Sequence, residues 1–325
     1  MPIPSTPKIS VIIPVYGNLG DLDRLLAGLR KQTIQPHEII LVDSSPKSSL
    51  TPPPGVKYVR NPKGDALSWD YNFGAQQATG DFLLNMQQDC VPEDPRALEM
   101  LYNSLSDKRV AAVPLVTLPR ENWEQYNFWG KVMMARWVGR VHQGISGKLD
   151  LIRRDVFLKI GGYDTERFSF AGEDMDLFLR LSEQGEVFIS NAEIIHYHSQ
   201  KKPLRFRDML TKHYQLAESF GALFRRWGVK LKQIPYSGHW THHLAKYLYP
   251  LVPLSFVLAF VSPSAAWTTL GLLLVLTQFT NMEGWRVKEA KTPVLLFANP
   301  VLFVAGFWGT LVGFVTGKQR YSQNK

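Results

Sequence analysis

Seven residues near the start of the chain, Ile9-Ser10-Val11-Ile12-Ile13-Pro14-Val15, restrict its architecture more than any other stretch. The run is continuous, mostly β-branched and without polar alternation, so the strand it predicts is covered on both faces, as in a parallel sheet. Leu22, Leu25, Leu26 and Leu29 follow at helical spacing behind Asp21, and Glu38-Ile39-Ile40-Leu41-Val42-Asp43 repeats the buried-strand pattern before ending in an acid. Strand, helix and strand in that order predict a right-handed crossover and an α/β, doubly wound sheet. Ligands of such sheets bind beyond the carboxyl ends of the strands, where Tyr16 and Asp43 fall.

The pattern continues. A Pro-rich loop from Thr51 to Gly55 leads to a short strand near Val56 to Val59, then to a helix over Leu67 to Thr79. Gly80-Asp81 opens a strand over Phe82 to Met86 that ends in Gln87-Gln88-Asp89, a third polar strand end at the same edge. Further on, Gly172-Glu173-Asp174-Met175-Asp176 packs three carboxylates in front of an apolar helical run, an acidic helix start in which Asp176 and Arg180 sit one turn apart. Asp43 and Asp89 also fit plain strand-to-turn aspartates, which bond nearby backbone N–H groups.

Charge and hydropathy are unevenly spread. The chain of 325 residues carries a formal net charge of +9, and residues 201–232 hold nine basic side chains against two acidic ones. Leu216, Phe220, Leu223, Phe224 and Trp227 recur there at helical spacing, the signature of an interfacial amphipathic helix. Apolar runs follow at Tyr247 to Val261, Ala265 to Thr280 and Pro293 to Thr316, the last interrupted by Asn299-Pro300. They predict two or three membrane segments, with anionic headgroups rather than nucleic acid as the partner of the basic stretch. Three spans would leave Lys318, Arg320 and Lys325 outside, against the positive-inside tendency; two spans and a re-entrant segment would keep them inside. Cys90 is the lone cysteine, which excludes a disulfide framework and a cysteine-based metal site. The Met-Pro-Ile-Pro start has no apolar signal region, so the soluble part is expected in the cytosol. The expected division is a catalytic domain over 1–200, basic amphipathic helices over 201–245, membrane segments over 246–317 and a tail over 318–325.

Taken in order, "ISVIIPVY", "IILVDSS", "NFGAQQATGDFLLNMQQDCVPED", "IRRDVFLKIGGYDTERFSFAGEDMDLFLRLSEQG" and "EIIHYHS" resemble the family 2 glycosyltransferases of GT-A fold, inverting and of the membrane-anchored bacterial type. The resemblance covers about residues 8 to 200. It implies a nucleotide-sugar donor and a lipid-linked or glycolipid acceptor. Pro14, Val15, Tyr16, Asp43, Asn72 and Gln88 would hold the nucleotide, with Gly161 and Gly162 close to the donor sugar. Asp174 would be the general base, with Glu173 beside it to position or cap. A divalent cation, Mn2+ or Mg2+, would be held by Asp89 with His196, His198 or both, because Gln87 replaces the first acid of the family's Asp-x-Asp motif. Strand alternation places both histidines on one face, which equally suits hydrogen bonds to a loop. Leu223 stands where processive synthases have glutamine ahead of Arg226-Trp227, so single addition is expected. The aromatic stretch from Leu118 to Gly147 suits core packing as well as sugar or lipid contact, and a mobile acceptor-side loop is the expectation. Two rival readings are a nucleotidyltransferase, for which "PVYGNLGD" lacks a basic phosphate loop, and a catalytically silent membrane scaffold of the same fold.

Overall fold

A computed structural model of the chain describes residues 7–17, 19–47, 50–64, 66–142, 144–169, 171–198, 202–235, 248–249 and 251–320. The expectations for the N-terminal start, for Lys201 and Tyr247 and for Lys325 lie outside these residues. The chain forms two compact units: Met1–Pro119 with Gly139–Ser199 and Trp227–Tyr236, and Arg120–Val138 with Gln200–Arg226 and Ser237–Lys325.

The first unit is built on one nine-stranded sheet. Its strands are β1 (Ile9–Val15), β2 (Glu38–Asp43), β3 (Lys57–Arg60), β4 (Phe82–Asn85), β5 (Cys90–Val91), β6 (Arg109–Leu118), β7 (Gly139–His142), β8 (Asp150–Arg153) and β9 (Glu186–His196). Their order is 3-2-1-4-8-6-9-5, with β7 on β6. The β3–β2–β1–β4 half is parallel; beyond it β8 runs antiparallel to β4 and β6, while β9 returns parallel to β6. The sheet is therefore mixed.

All seven residues of β1 are buried, as an unalternating apolar run requires. The pleat sends Ile9, Val11 and Ile13 to one face, against Leu22, Leu25 and Leu29 of α1 (Leu22–Arg30) and Leu98 and Leu101 of α3 (Ala97–Asn103). Ile12, Ile40 and Val42 face the other side, toward Tyr71 and Ala75 of α2 (Leu67–Gln77), Phe157 of α6 (Arg154–Lys159) and Leu177 and Leu181 of α7 (Glu173–Ser182). With both faces filled, polar groups of these strands can reach a ligand only at the strand ends.

Within the second unit, the stretch expected to be a mobile loop is ordered. It forms α4 (Arg120–Glu124), α5 (Phe128–Met134) and a 3-10 turn, Ala135–Trp137, before re-entering the sheet as β7. Asn127 starts α5 by accepting from Gly130 N–H at 3.2 Å, and Trp123, Tyr126 and Phe128 are buried. The aromatics are core because the cap commits the segment to a helix with an apolar face.

The amphipathic helix is α8 (Phe206–Trp227), and the apolar runs form α9 (Leu251–Val261), α10 (Pro263–Leu276) and α11 (Leu295–Thr316). At 1.5 Å per residue, α9 and α10 are about 16 and about 21 Å long, short of a hydrocarbon core of about 30 Å. Among the described residues one helix, Thr292–Thr316, is long and apolar enough to cross a membrane. The expectation of two or three spans thus exceeds what the helix lengths support. Asn299-Pro300 does not interrupt α11 either. Pro300 cannot donate to the carbonyl of Leu296, and Gln278 Nε2 fills that place at 3.3 Å, so the helix runs through.

Gly313 of α11 lies against the backbone of α8, where a Cβ would strike the carbonyl of Glu218. Gly313→Val therefore forces the two helices apart and is expected to cost ~3 kcal/mol by overpacking. Gly271→Ala, where a Cβ meets open space, is expected to leave thermal unfolding in detergent unchanged.

Candidate active site

Four strand ends and the start of α7 supply the polar groups of the site. Pro14 and Val15 are buried at the end of β1, and Tyr16 beyond them is 57% exposed. Val15 pairs in register with Asp43, the last residue of β2. Asp43 is fully buried, and both of its oxygens accept from neighbours. Oδ1 takes the backbone N–H of Ser45 at 2.8 Å and its hydroxyl, while Oδ2 takes Tyr58 OH at 2.5 Å and Arg60 Nη1 at 3.0 Å. Asp43 thus holds Ser45, Tyr58 and Arg60 together at the ends of β2 and β3. Gly17 N–H in turn donates to Ser45 Oγ at 2.7 Å. Asp70 ties the loops after β2 and β3 to α2, accepting from Ser44 Oγ at 2.9 Å and Asn61 Nδ2 at 2.8 Å. Burial pushes its carboxyl up to about 6 despite those bonds.

Asn72 spends its amide on one residue. Its Oδ1 accepts from Tyr163 N–H at 2.8 Å, and its Nδ2 donates to Tyr163 O at 2.9 Å. Gly162, at φ +67°, lies so close that a Cβ there would strike Asn72 Oδ1. At Gly162 the turn approaches α2 closely, whereas Gly161 has open space where its Cβ would be. Gln87 Nε2 donates to Ser146 O at 3.3 Å, and the buried Oε1 of Gln88 has no partner among the described residues.

Asp89 meets the histidines because the two-residue strand β5 pairs antiparallel with the end of β9, setting Cys90 opposite His196. His196 Nε2 lies 3.4 Å from Asp89 Oδ2, and ligand atoms of Asp89, Cys90 and His196 all fall within 4.8 Å of one another. The His198 ring is edge-on to His196 at 5.4 Å, while Tyr197 points away to Glu93 and Arg24. Although burial works to raise it, the two imidazoles hold the Asp89 carboxyl below its ordinary value. Burial, followed by the Asp89 charge, pushes the Cys90 thiol well up, so sulfur enters the cluster as a neutral thiol. The sequence reading kept cysteine out of the site; strand pairing brings it in.

The third group gathers around the start of α7. Burial, then the neighbouring Asp174, pushes the Glu173 carboxyl up to about 8. Asp174 is also raised by burial, but Met175 N–H, donating at 2.7 Å, and Lys148 work against the rise. Asp176 is a different kind of residue: fully buried, it accepts from Arg180 Nε at 2.7 Å and Trp227 Nε1 at 2.9 Å and anchors the helix. Two members of this group escaped the sequence reading. Asp150 stands opposite Asn85 on the antiparallel β4–β8 pair and accepts from Ser146 N–H at 2.8 Å and Gly147 N–H at 2.5 Å. Burial pushes it up to about 7, and its Oδ1 has no partner among the described residues. The Lys148 ammonium acts on Cys90, Asp150, Glu173 and Asp174 together, linking the Asp89 cluster to the α7 cluster. A lone acid heading an apolar strand was the available signal for Asp150; nothing distinguished Lys148.

The mixed sheet matches the GT-A fold of known structures, and sequence comparison agrees on the family. The chain superposes on a mannosyltransferase of Pyrobaculum calidifontis, solved with GDP-Man and Mn2+, with a TM-score of 0.56 over 96% of this chain and 89% of that one at 17% identity. Residues 10–161 match the family model described as glycosyl transferase family 2, and residues 125–245 match that of glycosyltransferase like family 2. The chain belongs to the family 2 glycosyltransferases. An O-antigen biosynthesis protein of Myxococcus xanthus is 29% identical over 233 residues, 62% of this chain and 18% of that protein. An O-antigen chain rhamnosyltransferase of Salmonella typhimurium is 27% identical over 213 residues, 59% of this chain and 66% of that protein. The chain therefore spans a minor part of the first relative and just under two thirds of the second.

Asp150 and Glu173 hold protons in the folded chain at pH values where an unfolded carboxyl has lost them, so stability falls as pH rises from about 4.5 through 7 to 8. Thermal unfolding of the chain in detergent is expected to show that fall. Glu173→Gln and Asp150→Asn, which cannot ionise, are expected to flatten it.

Proposed function

We propose that the chain transfers a sugar from a nucleotide-sugar donor to a hydroxyl or phosphate of a membrane-associated acceptor, one addition at a time and with inversion. The observation that carries this reading is the division of labour between Glu173 and Asp174. Two carboxyls share the half-buried start of α7: burial and the Asp174 charge push Glu173 up to about 8, while Met175 N–H and Lys148 oppose the rise at Asp174, the carboxyl assigned as the base. Asp174 takes the acceptor's proton while the acceptor oxygen attacks the anomeric carbon. The bond from that carbon to the diphosphate oxygen breaks on the opposite side, and the nucleoside diphosphate leaves with the electron pair. Neutral Glu173 donates a hydrogen bond that orients the acceptor.

Pro14, Val15, Tyr16 and Gln88 line the nucleotide pocket. Asp43 acts there through the Tyr58 and Arg60 that it holds, and Asn72 acts through the Gly161-Gly162-Tyr163 turn beside the donor sugar. A divalent cation fits Asp89 and His196, an oxygen and a nitrogen donor whose buried Nε2 makes no hydrogen bond among the described residues, with His198 next to them. Bound there, Mn2+ or Mg2+ would offset charge on the departing diphosphate; the nitrogen donor favours Mn2+. The Mn2+ in the Pyrobaculum mannosyltransferase structure supports the same choice.

The O-antigen relatives favour a lipid-linked glycan or glycolipid acceptor. So do the exposed Phe297, Val304 and Trp308 of α11 and Phe260 and Trp267 of α9 and α10, which suit lipid contact. In this reading residues 1–200 catalyse on the cytosolic face, 201–245 lie at the interface and 246–317 hold the membrane, with α11 as the span.

Asp174→Asn is expected to keep nucleotide affinity and lower kcat by ~10²–10⁴, while Glu173→Gln, which preserves a neutral donor, loses far less. Equal losses in the two variants would remove Asp174 as the base. Asp89→Asn and His196→Ala are expected to raise the Mn2+ concentration needed for donor binding. Nucleotide release from a panel of donors, in membranes with and without Mn2+, separates an enzyme from a silent scaffold and names the donor.

A further inference from the structure

The second unit contains a partly open cavity of about 70 Å³ that sugar transfer at the α7 site does not use. Its polar wall is formed by Arg136, His213, Thr280, Asn281 and Glu283, and its apolar wall by Met133, Met209 and Leu216. Since a buried water needs ~10–15 Å³ of such space, the cavity holds a few waters or one small polar group.

Two observations separate this cavity from a packing gap. Thr280 is only 4% exposed, yet its Oγ1 has no hydrogen-bond partner among the described residues, and the buried Nδ2 of Asn281 has none either. Buried polar atoms are nearly always paired, so two orphans on one wall call for a bound group. The backbone is also bent to present them: Asn281, at φ −144° and ψ 53°, breaks the 3-10 segment Thr277–Arg286, turning Thr280, Asn281 and Glu283 to the same space.

The chemistry of the wall narrows the occupant. Both orphan groups donate, and Arg136 adds a guanidinium, the side chain best matched to planar or tetrahedral oxyanions. Glu283 limits the charge. It repels a dianion but accepts from a protonated oxygen, a pairing that a monoanionic phosphate offers and a carboxylate does not. Met133, Met209 and Leu216 offer apolar contact to a hydrocarbon chain attached to that phosphate. We propose that the cavity is a binding site for a monoanionic phosphate head, separate from the nucleotide site.

The phosphate could belong to a lipid or be free in solution, and binding measurements distinguish the two. The full chain, purified in a neutral detergent without nucleotide sugar or metal, is titrated with dodecyl phosphate and, separately, with inorganic phosphate, following tryptophan fluorescence. Because no sugar is transferred, the outcome is independent of the reaction proposed for Asp174. Saturable binding is expected, weakened tenfold or more by Arg136→Gln and at least threefold by the near-isosteric Thr280→Val, with dodecanol unable to compete. Tighter binding of dodecyl phosphate assigns the site to a lipid head, and equal binding assigns it to free phosphate. No saturable binding of either probe, or unchanged affinity in a Thr280→Val chain that unfolds like the parent, overturns the proposal. Thr280→Val decides alone if Arg136→Gln does not fold.

Discussion

Everything at the first unit's site depends on the parallel pairing of β1 with β2 and β4. A strand buried on both faces has no side from which to offer a polar group, so chemistry is pushed to where the strands stop. Register then decides which groups meet. Val15 beside Asp43 and Ile12 beside Asn85 align the carboxyl ends of β2 and β4, and the antiparallel return of β8 sets Asp150 against Asn85. The same sheet, closed further along by β5 on β9, carries His196 to Asp89.

What these alignments create is a concentration of acid, with Asp150 fully buried and Glu173 and Asp174 half-buried. Burial raises Asp150, Glu173 and Asp174, and Lys148 opposes the rise in all three. The three carboxyls are not equivalent: burial carries Asp150 to about 7, burial and the Asp174 charge carry Glu173 to about 8, and Asp174 is raised with Met175 N–H and Lys148 against the rise. Asp176, two residues past Asp174, accepts from Arg180 and Trp227 and anchors the helix. One helix turn thus contains both the candidate site acids and a structural one, separated by what each side chain touches.

The second unit follows another constraint. Its helices approach backbone to backbone where glycine permits, as at Gly313 against Glu218, and its long apolar helix survives an internal proline because Gln278 supplies the missing donor. Polar atoms left over from this packing gather at the break in the Thr277–Arg286 segment.

Much of this was legible in the linear chain. The apolar runs marked β1 and β2 residue for residue, helical spacing marked α1 and α7, and the (i, i+4) pairing of Asp176 with Arg180 followed from helix geometry, because these patterns are written in neighbouring residues. Contacts between distant segments were not legible. Sequence alone placed Asp43, Asp89 and Asp174 as candidates at strand and helix ends. Only the tertiary structure decided that Asp43 faces Ser45, Tyr58 and Arg60, that Asn72 clasps Tyr163, that Cys90 stands beside His196, and that Lys148 and Asp150 join the acids. It also turned the expected aromatic loop into core helices and, among the described residues, gave one helix long and apolar enough to span a membrane. The physical reason is the same throughout: local pattern sets which way a side chain points along its own element, but pairing register and burial between elements set what it meets and how readily it holds a proton.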